Sequence, residues 1–364
     1  MIQVSKKTLS EALSAVLAVG SRKAAMPILD NVRITTKAGT MKLQCTDINT
    51  TIVKYIDCTS DSDVDFCVNV AALTSFVQKV SGDVVTLQAG AEELVVKHKT
   101  GQAKFAVVDT KEYPEFKNDF AEAEHYELPA ANVRDAITAC QQFVATDDLR
   151  PVMTGVNMLI AGDQITFCGT NSRIMCVKRY KLSTPCDHEV SLIIQPSVFG
   201  ILRNACSQAD TMSICATQKQ ICYRVGHTII VSAIIDGKYP PFEKVIPTNT
   251  AYKSTVNKKD FMSALDRTTI MCNKDSKLIK LQFDTNQLTV VGTDIDYGKS
   301  SSESLDCVST SALTIAFNSE NLRLFCSAIQ DDDLTFEMNG KDKAATASSV
   351  SRDTTVLIMP MMLP

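Results

Sequence analysis

The sequence predicts an α+β protein of three tandem, similar domains, each with an antiparallel sheet and two helices. Two repeats carry this reading. Apolar residues at the spacing of one helix face occur at Leu9, Ala12, Leu13 and Val16, recur at Val133, Ala136, Ile137 and Cys140, and recur again at Phe261, Ala264, Leu265 and Thr268, where only the last is polar. A second such face follows each: Leu73, Phe76, Val77, Val80; then Val198, Ile201, Leu202, Ala205; then Leu322, Phe325, Cys326, Ile329. The two faces begin 64 residues apart (Leu9 to Leu73), then 65 (Val133 to Val198), then 61 (Phe261 to Leu322). A fixed period of this kind marks copies of one folding unit.

The first helix of the first copy has Thr8 and Glu11 in capping-box relation, which predicts its start there. An alternating strand follows each first helix and ends in Thr-Asp or Thr-Asn: Met41 and Leu43 precede Thr46, Ile165 and Phe167 precede Thr170, Leu288 and Val290 precede Thr293. Steps of two are those of a half-buried strand, and such strands pack as antiparallel sheet under helices. After each second helix comes a further strand, "DVVTLQ", "DTMSIC" and "DDLTFEM", and the first two copies close on "AVVDTKEYPEF" and "AIIDGKYPPF". Polar stretches at 117–130 and 247–256 read as linkers, which sets domains at 1–122, 123–250 and 251–364. Sheets with open edges can join edge to edge, and repeated rotations close into a ring or run on as a filament.

Composition excludes several function classes. The 364 residues are 45% hydrophobic and 21% charged, ordinary for a globular protein, and no apolar run approaches a membrane span. The N-terminus lacks the basic-then-apolar order of a secretion signal, so the expected location is cytoplasmic. Thirteen cysteines form no Cys-x-x-Cys pair, and Cys45, Cys168, Cys215 and Cys326 lie in apolar runs, as reduced core thiols do. His98, His125, His188 and His227 are scattered without ligand spacing, so no metal is expected. Phosphate-binding glycine loops are absent, and Asp236 to Lys238 reads as a turn. Binding without catalysis or cofactor is the expectation.

The net charge of −4 calls for no nucleic acid, but the helical segments carry cations. Lys6 and Lys7 start the first helix, Arg134, Lys258, Lys259 and Arg267 lie on its counterparts, and Lys79, Arg203 and Arg323 lie on the second helices. Acids (Glu11, Asp135, Asp266, Glu320) are mixed among them, as on any solvated face. Around a channel, such cations would meet phosphates without reading sequence. The ending "VLIMPMMLP" carries no charge, so it forms either a buried last strand or the rim of a pocket.

Six stretches in order, "MPILDNV" (26–32), "CTDI" (45–48), "DDLRPVMTGV" (147–156), "CGTNSR" (168–173), "DGKYPPFEKVIP" (236–247) and the terminal "MPMMLP", resemble the bacterial DNA polymerase III beta subunit family, the sliding clamps. The resemblance implies a non-enzymatic processivity factor. Two chains of three domains close head to tail into a homodimeric ring around duplex DNA, and the ring tethers the replicative polymerase. It also implies one apolar peptide-binding pocket per chain for polymerase, clamp loader and repair proteins. By matching motifs, that pocket comprises Met153; Thr170, Ser172, Arg173 and Met175; Pro240, Lys244 and Val245; and Met359, Pro360, Met361 and Leu363 of the tail. Phe317 is a looser match to an aromatic at the pocket's edge. Arg22 and Lys23, before "MPIL", and Arg150 match positions that touch DNA backbone. Ile174 and Met362 stand where many relatives have Arg, and Pro364 extends past the usual last Leu, as in a divergent member. The alternative is a clamp-like scaffold that binds partner peptides without closing on DNA.

Overall fold

A computed structural model of the chain describes residues 1–20, 26–116, 120, 123–147, 149–351 and 353–363, with 183 and 184 described by backbone alone. All six predicted helices form. In the first repeat β1 (Ile2–Ser5) runs straight into α1 (Lys6–Gly20); β2 (Asn31–Lys37), β3 (Thr40–Thr46), β4 (Thr50–Asp57), β5 (Thr59–Ser60) and β6 (Val64–Asn69) follow, then α2 (Val70–Lys79), β7 (Val84–Ala89), β8 (Glu93–His98) and β9 (Gly101–Val108). The second repeat has β10 (His125–Pro129), α3 (Ala130–Cys140), β11 (Val156–Thr170), β12 (Ile174–Ile194), α4 (Phe199–Cys206), β13 (Thr211–Ala216), β14 (Gln220–Val225) and β15 (Thr228–Ala233). The third has β16 (Tyr252–Asn257), α5 (Lys258–Thr269), β17 (Leu278–Phe283), β18 (Gln287–Asp294), β19 (Lys299–Ser309), β20 (Leu313–Asn318), α6 (Ser319–Ala328), β21 (Asp333–Met338), β22 (Ala345–Ser348) and β23 (Thr354–Ile358).

Packing regroups these repeats into two compact units, Met1–Arg134 with Ser197–Ile234, and Asp135–Pro196 with Ile235–Pro364. Edge pairing explains the regrouping. In the first unit β15 of the second repeat pairs antiparallel with β4 of the first, Ile230 opposite Ile52, within one 13-stranded sheet. In the second unit β23 of the third repeat pairs with β12 of the second, Cys176 opposite Val356, within a 10-stranded sheet. Each seam therefore buries the edge that a lone repeat would expose.

The helix faces that repeat in the sequence are the buried ones: Leu9, Ala12, Leu13 and Val16 are fully buried, and so are Phe261, Ala264, Leu265 and the polar Thr268. Two expectations are corrected. The first helix starts at Lys6, and Ser5 Oγ accepts the Thr8 N–H at 3.5 Å, so Ser5 caps it and Thr8 lies one turn inside. The stretches read as linkers end in strands β10 and β16, because one or two buried residues suffice for a short strand: Leu128 in one, Ser254 and Val256 in the other. Ser254 is buried against Ser309, whose hydroxyl donates to it at 2.9 Å, so a polar residue occupies a core position.

All thirteen cysteines are free, and all but Cys58 are buried. Burial pushes the Cys206 thiol up to about 11 and that of Cys67 to about 12.

Candidate functional site

The uncharged tail belongs to the second unit and divides between both readings given above. Thr354 to Ile358 are buried between β12 and β22 as a final strand. Beyond Ile358 two backbone hydrogen bonds hold the chain: the Met359 N–H donates to the Arg173 carbonyl at 2.8 Å, and the Met361 N–H donates to the Ala316 carbonyl on β20 at 2.8 Å. Met359 and Met362 turn outward, 42% and 93% exposed, while Pro360 and Met361 are half-buried.

The turn that receives Met359 is built by its own side chains. Thr170 Oγ1 donates to the Ile174 carbonyl at 2.7 Å and accepts the Ser172 N–H at 3.1 Å. Asn171 Oδ1 accepts from Arg173 and Ile174 at 2.9 and 3.0 Å, and Ser172 sits at φ 72°. A left-handed residue flanked by such hydrogen bonds presents Ser172 and Arg173 to solvent in one fixed geometry.

Next to this turn, on the sheet face away from the helices, lies an apolar patch of Cys168, Met175, Val177, Ile193 and Leu357. Tyr239 and Phe242 of "DGKYPPF" cover it, and the Tyr239 hydroxyl donates to the Cys168 carbonyl at 3.1 Å. Burial and the neighbouring Cys168 push the Tyr239 phenol well above its ordinary value, so it stays a donor. A 3-10 turn over Phe242–Val245 then exposes Lys244 and leaves Val245 57% exposed. Pro240 is half-buried.

The structure thus gathers Thr170, Ser172, Arg173 and Met359 at one turn and Met175 in the adjoining patch. Met153 is buried, and its neighbour Val152 is the one that packs on the patch. Phe317 is fully buried, as are its β20 neighbours Ile315 and Ala316, so it offers no ring at an edge. Leu363 is half-buried and lines a separate groove on the third repeat with Leu278, Val291 and Thr293. Val152, Val177, Leu357, Tyr239 and Phe242 escaped the sequence reading of the site, although all but Val177 lie within stretches singled out above.

The helix cations are only partly available. Lys258 Nζ donates to the Ile329 carbonyl at 2.7 Å, satisfying the end of α6. Arg323 pairs with Asp266, and Arg267 Nε donates to Glu303 Oε1 at 2.6 Å. Lys7, Lys79, Lys259 and Arg150 are exposed, and Lys6 and Arg203 are half-exposed. Arg134 on α3 is exposed. Arg22 and Lys23 lie outside the described residues.

Family models cover nearly the whole chain: the DNA polymerase III beta subunit N-terminal domain matches residues 1–117, the central domain 127–241 and the C-terminal domain 243–362. A beta sliding clamp of Staphylococcus epidermidis is 25% identical over 94% of this chain and 93% of its own length, and one of Staphylococcus aureus is 23% identical over the same shares. The fold is that of the Pseudomonas aeruginosa DNA polymerase III subunit beta, at TM-score 0.94 and 18% identity over 100% of both chains. It is also that of the Bacillus subtilis sliding clamp, at TM-score 0.93 and 18% identity over 100% of this chain and 99% of that one. The chain belongs to the DNA polymerase III beta subunit family, the non-enzymatic sliding clamps that act as replication processivity factors.

Proposed function

We propose that two copies of this chain close head to tail into a ring around duplex DNA in the cytoplasm. The ring holds the replicative polymerase, a clamp loader and repair proteins through short apolar segments seated at the tail. The three domains run over 1–122, 123–250 and 251–364. The observation that carries the reading is the tail itself. Two backbone hydrogen bonds pin it, at Arg173 and Ala316, while Met359, Met362 and Val245 stay exposed next to the apolar patch. Unbranched methionines adapt to varied partners. Exposed Lys7, Lys79, Lys259 and Arg150 supply weak phosphate contacts, which suffice where the link to DNA is topological.

Retention on DNA tests this. After loading onto a nicked circular plasmid, the chain stays bound through gel filtration and is released when the plasmid is cut to a line. Loss from the intact circle would sink the ring and leave a scaffold. A chain lacking residues 360–364 stays on the circle but no longer retains polymerase there, since β23 ends before the deletion. Polymerase retention by the shortened chain would remove the tail from the site.

A further inference from the structure

The two seams correspond residue by residue. Lys54 Nζ donates to Thr228 Oγ1 at 2.8 Å in the first unit, as Lys178 Nζ donates to Thr354 Oγ1 at 2.9 Å in the second. The Tyr55 N–H donates to the His227 carbonyl at 3.0 Å, as that of Arg179 does to Asp353 at 2.8 Å. Ala233 and Met359 likewise donate to the Asn49 and Arg173 carbonyls, both at 2.8 Å. Strand register then fixes the remaining positions. Ile229 answers to Thr355, each opposite a valine, Val53 or Val177. Cys222, opposite Val231, answers to Thr346, opposite Leu357. Cys215, opposite Cys222, answers to Glu337, opposite Thr346. In the chain that crosses each seam, Phe120 follows Phe116 by the same four positions as Ile246 follows Phe242.

In the first seam this place is filled. Phe120 is 1% exposed and sits on Cys215, Cys222 and Val231, with Phe116 and Ile229 beside it. In the second seam the corresponding place is a cavity of 480 Å³ between residues 246–250 and the sheet. Its sheet walls are Arg179, Lys253, Glu337, Thr346, Ser348 and Thr355. Three apolar wall positions of one seam have become a carboxylate and two hydroxyls in the other.

Charge decides what fits. The Glu337 carboxylate is held by Lys253 Nζ at 2.9 Å. Arg179 is half-buried and donates one side-chain hydrogen bond, Nη1 to Thr355 Oγ1 at 3.3 Å, and meets no carboxylate among the described residues. A guanidinium has five N–H donors in a planar fork that matches two oxygens of a phosphate or carboxylate. The walls carry two cations against one anion, and the surrounding hydroxyls can donate to the same ligand. We propose that this cavity is an oxyanion site in which Arg179 grips a phosphate or carboxylate group and Thr346, Ser348 and Thr355 complete its hydrogen bonding.

The test is calorimetric titration of the full chain, at constant ionic strength, with inorganic phosphate in one arm and an acetylated, amidated Asp-Glu dipeptide in the other. Saturable binding is expected in at least one arm. It should weaken about tenfold or more in Arg179→Gln, the loss of a charge-assisted hydrogen-bonded pair. Ile246→Phe, which sets the first seam's ring at the cavity mouth, should abolish binding while the melting temperature is kept. Binding of phosphate alone identifies a free phosphate or phosphate ester as the source, and binding of the dipeptide alone identifies an acidic side chain of a protein. Absence of saturation in both arms overturns the proposal, as does binding unchanged in both variants.

Discussion

Lys54 in the first unit and Lys178 in the second hold the same place in two copies of one joint, yet different chemistry closes the joints around them. Both joints keep the lysine-to-threonine bond and the two flanking backbone hydrogen bonds. What differs is the sheet face away from the helices. Phe120 seals it on cysteine and valine in one unit, and Ile246 leaves a polar cavity in the other. The comparison separates two demands on the same strands. Joining edge to edge constrains the backbone and one buried polar pair, whereas the open face is free to become either packing or a site.

The largest way to break this contrast is to remove the seal. Phe120→Ala should cost about 3–5 kcal/mol, as for a buried aromatic, and Ile246→Ala about 1–2 kcal/mol, because Ile246 is half-buried. Urea melts of both variants check it, and equal losses would mean that Phe120 is no seal. Next come the lysines. Lys178 is 7% exposed and reaches Asp135 at 2.8 Å as well as Thr354, so Lys178→Met should cost about 2 kcal/mol. Lys54 is partly buried, which lowers its pKa, and Glu11 opposes that only from a distance, so Lys54→Met should cost about 1 kcal/mol or less. A larger loss at Lys54 would reverse the ranking of the joints. The smallest difference between the units concerns Tyr113 and Tyr239. The Tyr113 hydroxyl has two carbonyls in reach, Asn31 at 3.2 Å and Gln44 at 2.9 Å, and Tyr239 has one. Thermal melts should show Tyr113→Phe losing roughly 1.5 kcal/mol and Tyr239→Phe about 1 kcal/mol. Identical shifts would show that the second acceptor adds nothing.

The helices were legible because their repeating apolar positions are buried, Phe76 and Ala205 alone being half-buried, and the same face is written three times. Strands β1, β10 and β16 were not, since one or two buried residues do not stand out from chance and one of them, Ser254, is polar. At the site, sequence reading found the turn at Thr170 to Met175 and the exposed methionines. It could not find that Met361 is held through its backbone, because a backbone hydrogen bond leaves no mark on residue type. Nor could it place Phe317 in the core, because Ile315, Ala316 and Phe317 in succession are all fully buried, and residue type does not reveal a strand covered on both faces. The cavity at Arg179 did leave a signal. Aligning the two copies four residues past Phe116 and Phe242 sets Phe120 against Ile246, and only strand register supplies the walls that give the difference a meaning.

The burial of twelve of the thirteen thiols gives the chain a ready-made optical handle. Cys58 alone is partly exposed, and although burial raises its pKa it remains the reachable nucleophile for a maleimide dye. Each unaltered chain therefore takes up a single fluorophore. Counting photobleaching steps on single immobilised plasmids then counts chains directly, and a ring of two darkens in two steps.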